Sequence, residues 1–105
     1  MGNHEYAAIG VLPPDAMNLN ARQSILWTQS KLTDRELSLI SGFKMTAELE
    51  NVLLVHASPF EPDEWHYVLS PNDAAEAFRQ VDHRLIFCGH THLPVIYCQP
   101  PVGKI

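Results

Sequence analysis

The stretch Asn51-Val52-Leu53-Leu54-Val55-His56 (NVLLVH) decides the fold. Four apolar residues in a row, two of them β-branched, are too few for a helix and read as a strand. Continuous apolarity, rather than alternation, predicts a strand covered on both faces. The run ends on a histidine, and Ser58-Pro59 breaks it immediately afterwards.

The same arrangement recurs downstream. Arg84 to Cys88 is a second apolar run; Gly89 ends it and His90-Thr91-His92 follows. Val95 to Cys98 predicts a third strand, entered through Leu93-Pro94. Trp65 to Leu69 is a weaker strand candidate.

Helices occupy the intervening chain. Asn20, with Gln23 three residues on, predicts a helix from about Ala21 to Lys31 with Ile25 and Leu26 facing inward. Thr33-Asp34-Arg35-Glu36 forms a capping box, flanked by Leu32 and Leu37 at staple positions and stopped at Gly42. Ser70-Pro71-Asn72-Asp73 combines an N-cap serine, a proline at the first helical position and an acid at the third. Ala74, Ala77, Phe78 and Val81 follow at helical spacing. Residues 6–19, with Pro13-Pro14-Asp15, read as loop, and residues 99–105 as an irregular tail. The order is helix, helix, strand, helix, strand, strand, an α/β pattern with too few strands for a covered sheet.

Composition narrows the function classes. The chain of 105 residues suits one domain, 1–105. Lys and Arg number 7 against a net charge of −5, and no basic stripe exists, so phosphate-backbone binding to nucleic acid is not supported. No apolar run could span a bilayer, and the N-terminus carries no signal peptide. Cys88 and Cys98 read as buried thiols of a reducing compartment. These features predict a soluble, cytoplasmic protein.

Three polar clusters carry chemistry. Asn3-His4-Glu5 follows Gly2, His56 ends the first strand, and His90-Thr91-His92 follows the second. Ligands gather at the carboxyl ends of strands in open α/β sheets, so both strands deliver imidazoles to one edge. On an extended segment, His-x-His points its rings to opposite sides. His66 and His83 lie outside the clusters and read as solvated. Trp27 reads as buried packing. Trp65 and Tyr67 read as core packing, with a substrate cleft as the alternative. Ser58 lacks a nucleophile elbow and reads as a turn residue.

"GNHE" (Gly2–Glu5), "LLVHASP" (Leu53–Pro59) and "FCGHTH" (Phe87–His92), in that order, resemble the last three motifs of the calcineurin-like metallophosphoesterases. The closer likeness is to the small bacterial predicted phosphodiesterases, whose helix after Gly-Asn-His resembles "ARQSILWTQSKLT" (Ala21–Thr33). The resemblance implies part of a four-layer α/β/β/α sandwich holding two divalent metal ions (Mn, Fe, Zn or Ni) at one edge. It implies that Asn3, His56 and His90 ligate one metal and His92 the other. It further implies that His4 is the unligated imidazole acting on a phosphate-ester substrate, with Glu5 holding the loop from behind.

The family's Asp-x-His and Gly-Asp motifs occur nowhere in this sequence. The resemblance therefore implies a C-terminal part of the domain, lacking the N-terminal strands, with one weakly held metal and impaired activity. It also implies a missing N-terminal half, or a homodimer through an exposed sheet edge, as the completing partner. The rival expectation is a non-catalytic interaction scaffold of the same fold, as a retromer subunit illustrates for the family. A structural zinc module of His56, His90 and His92 is disfavoured, since closed sites usually carry cysteine.

Overall fold

The computed structural model describes residues 1–100. Its elements are helices α1 (Asn3–Ala8), α2 (Leu19–Lys31), α3 (Asp34–Ser41) and α4 (Pro71–Arg79), and strands β1 (Thr46–Leu49), β2 (Val52–Val55) and β3 (Leu85–Phe87). The strands form one sheet in the order β1-β2-β3. None of the described helices is long and apolar enough to cross a membrane.

The helix starts follow from their caps. In α3, Thr33 Oγ1 accepts from the Glu36 N–H at 3.3 Å, and Glu36 Oε2 accepts from the Thr33 N–H at 2.8 Å. In α4, Ser70 Oγ accepts from the Asp73 N–H, and Asp73 Oδ2 accepts from the Leu69 N–H. For α2 the cap is Asn18, not Asn20: Asn18 Oδ1 accepts from the Ala21 N–H at 2.9 Å, and the helix starts two residues early. Residues 3–8 are helical, although 6–8 read as loop. The Glu5 side chain closes the first turn by accepting from the Gly2 N–H. The Gln29 Nε2–H bond to the Ala7 carbonyl then ties α2 to α1.

β2 occupies the expected run and pairs with β3 in parallel, with Leu53 opposite Ile86 and Leu54 opposite Phe87. β1 was not foreseen: Thr-Ala-Glu-Leu carries no clear strand period. It becomes a strand by pairing antiparallel with β2 across the Glu50-Asn51 turn. Residues 66–69 and 95–98 join no ladder, so neither expected strand forms. Ile96 is almost fully exposed. The part of the tail at 101–105 lies outside the described residues.

The expectation that β2 is covered on both faces is overturned, in keeping with a chain that has too few strands for a covered sheet. Leu53 and Val55 are buried on one face of β2. Alternation and register put Leu49, Leu54, Leu85 and Phe87 together on the other face, where they are 67%, 42%, 55% and 61% exposed. The total accessible surface is 7868 Å², against about 5,900 Å² for a compact monomer of this mass. The radius of gyration of 16.0 Å likewise exceeds the roughly 13 Å of a compact domain of this length. An apolar cleft of about 370 Å³ lies open between α4, β3 and residues 91–97.

The core is correspondingly slight, with Ile25, Leu53, Val55 and Val68 as its larger members and alanines making up the rest. Leu26 and Trp27 face solvent instead of the core, because only one side of α2 has a neighbour. Cys88 and Cys98 are free and exposed, not buried. His83 is the converse case: its ring is mostly buried and its Nε2 lies 3.3 Å from Glu48 Oε1.

Candidate metal centre at the sheet edge

The site begins with one hydrogen bond. The Gly89 N–H donates to the His56 carbonyl at 2.8 Å, extending the β2–β3 pairing one step beyond the strands. His56 and the Gly89-His90 turn therefore leave the sheet side by side. The ring centroids of His56 and His90 stand 5.1 Å apart at 61°.

His90 sits at the centre of a tight turn closed by the Thr91 N–H to the Gly89 carbonyl, with φ 66°. His92 has φ 58°. The His-x-His segment is thus left-handed at both histidines rather than extended, and the alternation argument does not apply to it. Left-handed backbone at bulky residues is uncommon and costs about 1–3 kcal/mol each. Trp65 and Glu61 in the neighbouring loop share that conformation.

The N-terminal segment packs against this edge. A Cβ built on Gly2 would lie 2.9 Å from His56 Nδ1 and 3.0 Å from its Cε1. Only glycine permits that approach, although its own backbone (φ −100°, ψ 170°) is ordinary. Asn3 follows directly at the start of α1, and its Oδ1 is buried with no hydrogen-bond partner. Glu5 is half-buried and turned back toward Gly2. His4 and His92 are exposed.

Aromatic rings enclose the imidazoles. Trp65 stands edge-on to His56 with centroids 6.0 Å apart, and edge-on to Tyr6 at 5.4 Å. Tyr67 stacks on His90 at 4.3 Å and 19°. His66 stacks on Phe60 at 5.0 Å and pairs with Glu61 at 3.2 Å. Sequence reading left Trp65 and Tyr67 as packing residues. The alternation Trp65-His66-Tyr67 was the available signal, but only the fold shows which ring meets which imidazole.

Burial disfavours the charged form of the two inner imidazoles. Burial pushes His56 below the usual histidine range; the Glu5 carboxylate pulls it up, and the terminal ammonium, His4 and His92 push it down again. Burial also lowers His90, aided by His56 and opposed by a hydrogen bond to the Trp65 backbone, with His92 and His4 adding to the fall. Neutral imidazole is the metal-ligating form.

The residues fit a single divalent cation. A buried, unpartnered carboxamide oxygen needs an explanation, and a cation supplies one. Oxygen and imidazole donors suit borderline metals without choosing among them. Among the described residues, no three of His, Cys, Asp and Glu stand together as a closed metal-binding group. Asn3, His56 and His90 are the candidate ligands at this edge, with His92 exposed close by.

No protein-family model matches the chain. The chain is 33% identical over 101 residues to an uncharacterized protein of Methanocaldococcus jannaschii, a match covering 91% of this chain and 40% of that one. It is 35% identical to a metallophosphoesterase from Sphaerobacter thermophilus of known crystal structure. The two superpose with a TM-score of 0.72 over 89% of this chain and 38% of the other. The chain therefore spans about two fifths of the length of the proteins it matches. Its architecture is part of the metallophosphoesterase α/β sandwich.

Proposed function

We propose that this part of a metallophosphoesterase fold contributes the Asn3–His56–His90 half of a metal-dependent phosphoesterase site, acting on phosphate mono- or diesters. The observation that carries the reading is the buried, unpartnered Asn3 Oδ1 beside an edge where two imidazoles converge. The likeness to a metallophosphoesterase over 89% of the chain supports it.

Asn3, His56 and His90 hold one divalent cation, and His92 is left for a second. When bound, such cations polarise phosphoryl oxygens and lower the pKa of a coordinated water. His56 and His90 remain neutral donors because burial disfavours their charged forms. Glu5 keeps Gly2 and Asn3 in place through the Gly2 N–H. His4, exposed beside the site, donates a proton to the leaving oxygen. Two exposed free thiols, Cys88 and Cys98, support a reducing, cytoplasmic setting. We read residues 1–105 as one unit of that domain, with the apolar face of Leu49, Leu54, Leu85 and Phe87 covered by a further polypeptide.

That open apolar face, together with the lack of a closed three-residue cluster among the described residues, favours a second reading: a non-catalytic interaction scaffold. One variant separates the two. An unsatisfied buried acceptor costs about 1–3 kcal/mol, so Asn3→Ala should stabilise the metal-free protein while weakening Mn²⁺ binding. Calorimetric melting and Mn²⁺ titration read the two effects. Unchanged Mn²⁺ affinity in Asn3→Ala, His56→Ala and His90→Ala refutes the metal reading and leaves the scaffold. Hydrolysis of a nitrophenyl phosphodiester with added Mn²⁺, compared with His4→Ala, tests the chemistry itself.

A further inference from the structure

The loop of residues 60–69 carries more than packing. Tyr67 is 55% exposed, yet its ring lies flat on His90 at 4.3 Å and 19°. A ring so exposed adds little to the core; the stack is its main structural commitment. His90 needs such a contact, because it occupies the middle of a left-handed turn. Its side chain springs from that turn, meets the His56 ring edge-on at 5.1 Å and hydrogen-bonds the Trp65 backbone, and the Tyr67 ring is the one stacked on its face.

The loop is braced within and anchored at one end. The Phe60–His66 stack and the His66–Glu61 pair tie its two halves together. At its end Val68 is buried, and Asp73 Oδ2 accepts from the Leu69 N–H at the start of α4. Tyr67 is therefore delivered to His90 by a braced segment, while Trp65 meets His56 edge-on from the same loop.

We infer that Tyr67 is a positioning residue that sets the plane of the His90 imidazole, so that the ring presents its donor nitrogen toward the space shared with His56 and Asn3. This rests on the reading of His90 as a metal ligand. A flat aromatic ring is what the geometry requires, and the hydroxyl is dispensable.

The test is Mn²⁺ affinity by isothermal titration, with ¹H NMR of the imidazole protons in the metal-free protein. Four forms are compared with the unaltered chain: Tyr67→Phe, Tyr67→Leu, Tyr67→Ala and His90→Ala. Loss of a group that orients a ligand typically weakens metal binding about 10–100-fold. Tyr67→Ala and Tyr67→Leu should show that loss, along with a downfield move of the His90 ring protons as the stacked ring disappears. Tyr67→Phe should retain both the affinity and the shift. Leucine keeps the apolar bulk, so loss in Tyr67→Leu separates ring stacking from packing. Normal affinity in Tyr67→Leu and Tyr67→Ala, with loss in His90→Ala, overturns the positioning role and leaves His90 a ligand. Normal affinity in His90→Ala, or no Mn²⁺ binding by the unaltered chain, overturns the ligand reading and the positioning role with it.

Discussion

Replacing Gly2 with alanine probes the site at its tightest contact. The new methyl would stand 2.9 Å from His56 Nδ1, 3.0 Å from His56 Cε1 and 2.5 Å from Glu5 Oε2. Ordinary van der Waals contact begins near 3.4 Å, so the imidazole must retreat by about 0.5 Å. The Glu5 carboxylate ends a flexible chain and can swing aside. The His56 ring is held by Trp65 and by the backbone bond to Gly89, so it yields less readily. Metal–ligand distances tolerate about 0.2 Å, and the displacement is more than twice that. Mn²⁺ affinity should fall about 10–100-fold, or about 1.4–2.8 kcal/mol. The fold should suffer less. Alanine adopts φ −100°, ψ 170° freely, and overpacking at a half-buried edge falls at the low end of its usual range, about 1 kcal/mol. Isothermal titration and thermal melting of the same sample read the two effects separately. Unaltered Mn²⁺ affinity with unaltered stability would refute the claim that Gly2 is pressed against a metal-ligating His56.

Acid should weaken Mn²⁺ binding at lower pH than an ordinary histidine site allows, because His56 and His90 both titrate below 6.5. Their folded pKa values lie below the unfolded value, so the stability linked to them is present above about pH 6.5 and is lost as pH falls through the folded values; pH-dependent melting checks the sign. Removing the α3 cap with Thr33→Ala should cost about 1 kcal/mol and fray that exposed helix alone, read by amide exchange at residues 36–41. Glu36 is held below 4.5 first by the Thr33 backbone N–H and then by the Thr33 hydroxyl, so the stability it lends α3 is present above that pH and is lost as pH falls through the folded value. Leu54→Asp with Phe87→Asp should reduce self-association in light scattering, since each apolar side chain buried in a contact is worth about 1.5–3 kcal/mol; undiminished association would show that this sheet face is not the contact surface.

Much of the fold is written locally. The Thr33 and Ser70 caps, the apolar runs of β2 and β3 and the order of the three polar clusters are short-range patterns, and each is found where the sequence puts it. Local reading failed where a neighbour decides the outcome. Thr46–Leu49 became a strand only because β2 offered an edge, whereas residues 95–98 join no ladder although β3 ends the sheet. Leu26, Trp27 and Leu54 are apolar enough to be buried, but apolarity states a preference for cover and cannot supply it.

The sequence by itself determined which donors the candidate site offers: a carboxamide and imidazoles, each placed beside a glycine or at the end of an apolar run. Tertiary structure alone decided their geometry. The parallel register of β2 and β3, carried one step further by the Gly89–His56 bond, brings together two histidines distant in sequence. The left-handed turn at His90 and the stacked Tyr67 then set how one of them points. Side-chain type is fixed residue by residue, whereas register and ring orientation arise from pairing and packing between segments far apart in the chain, and so only from the folded whole.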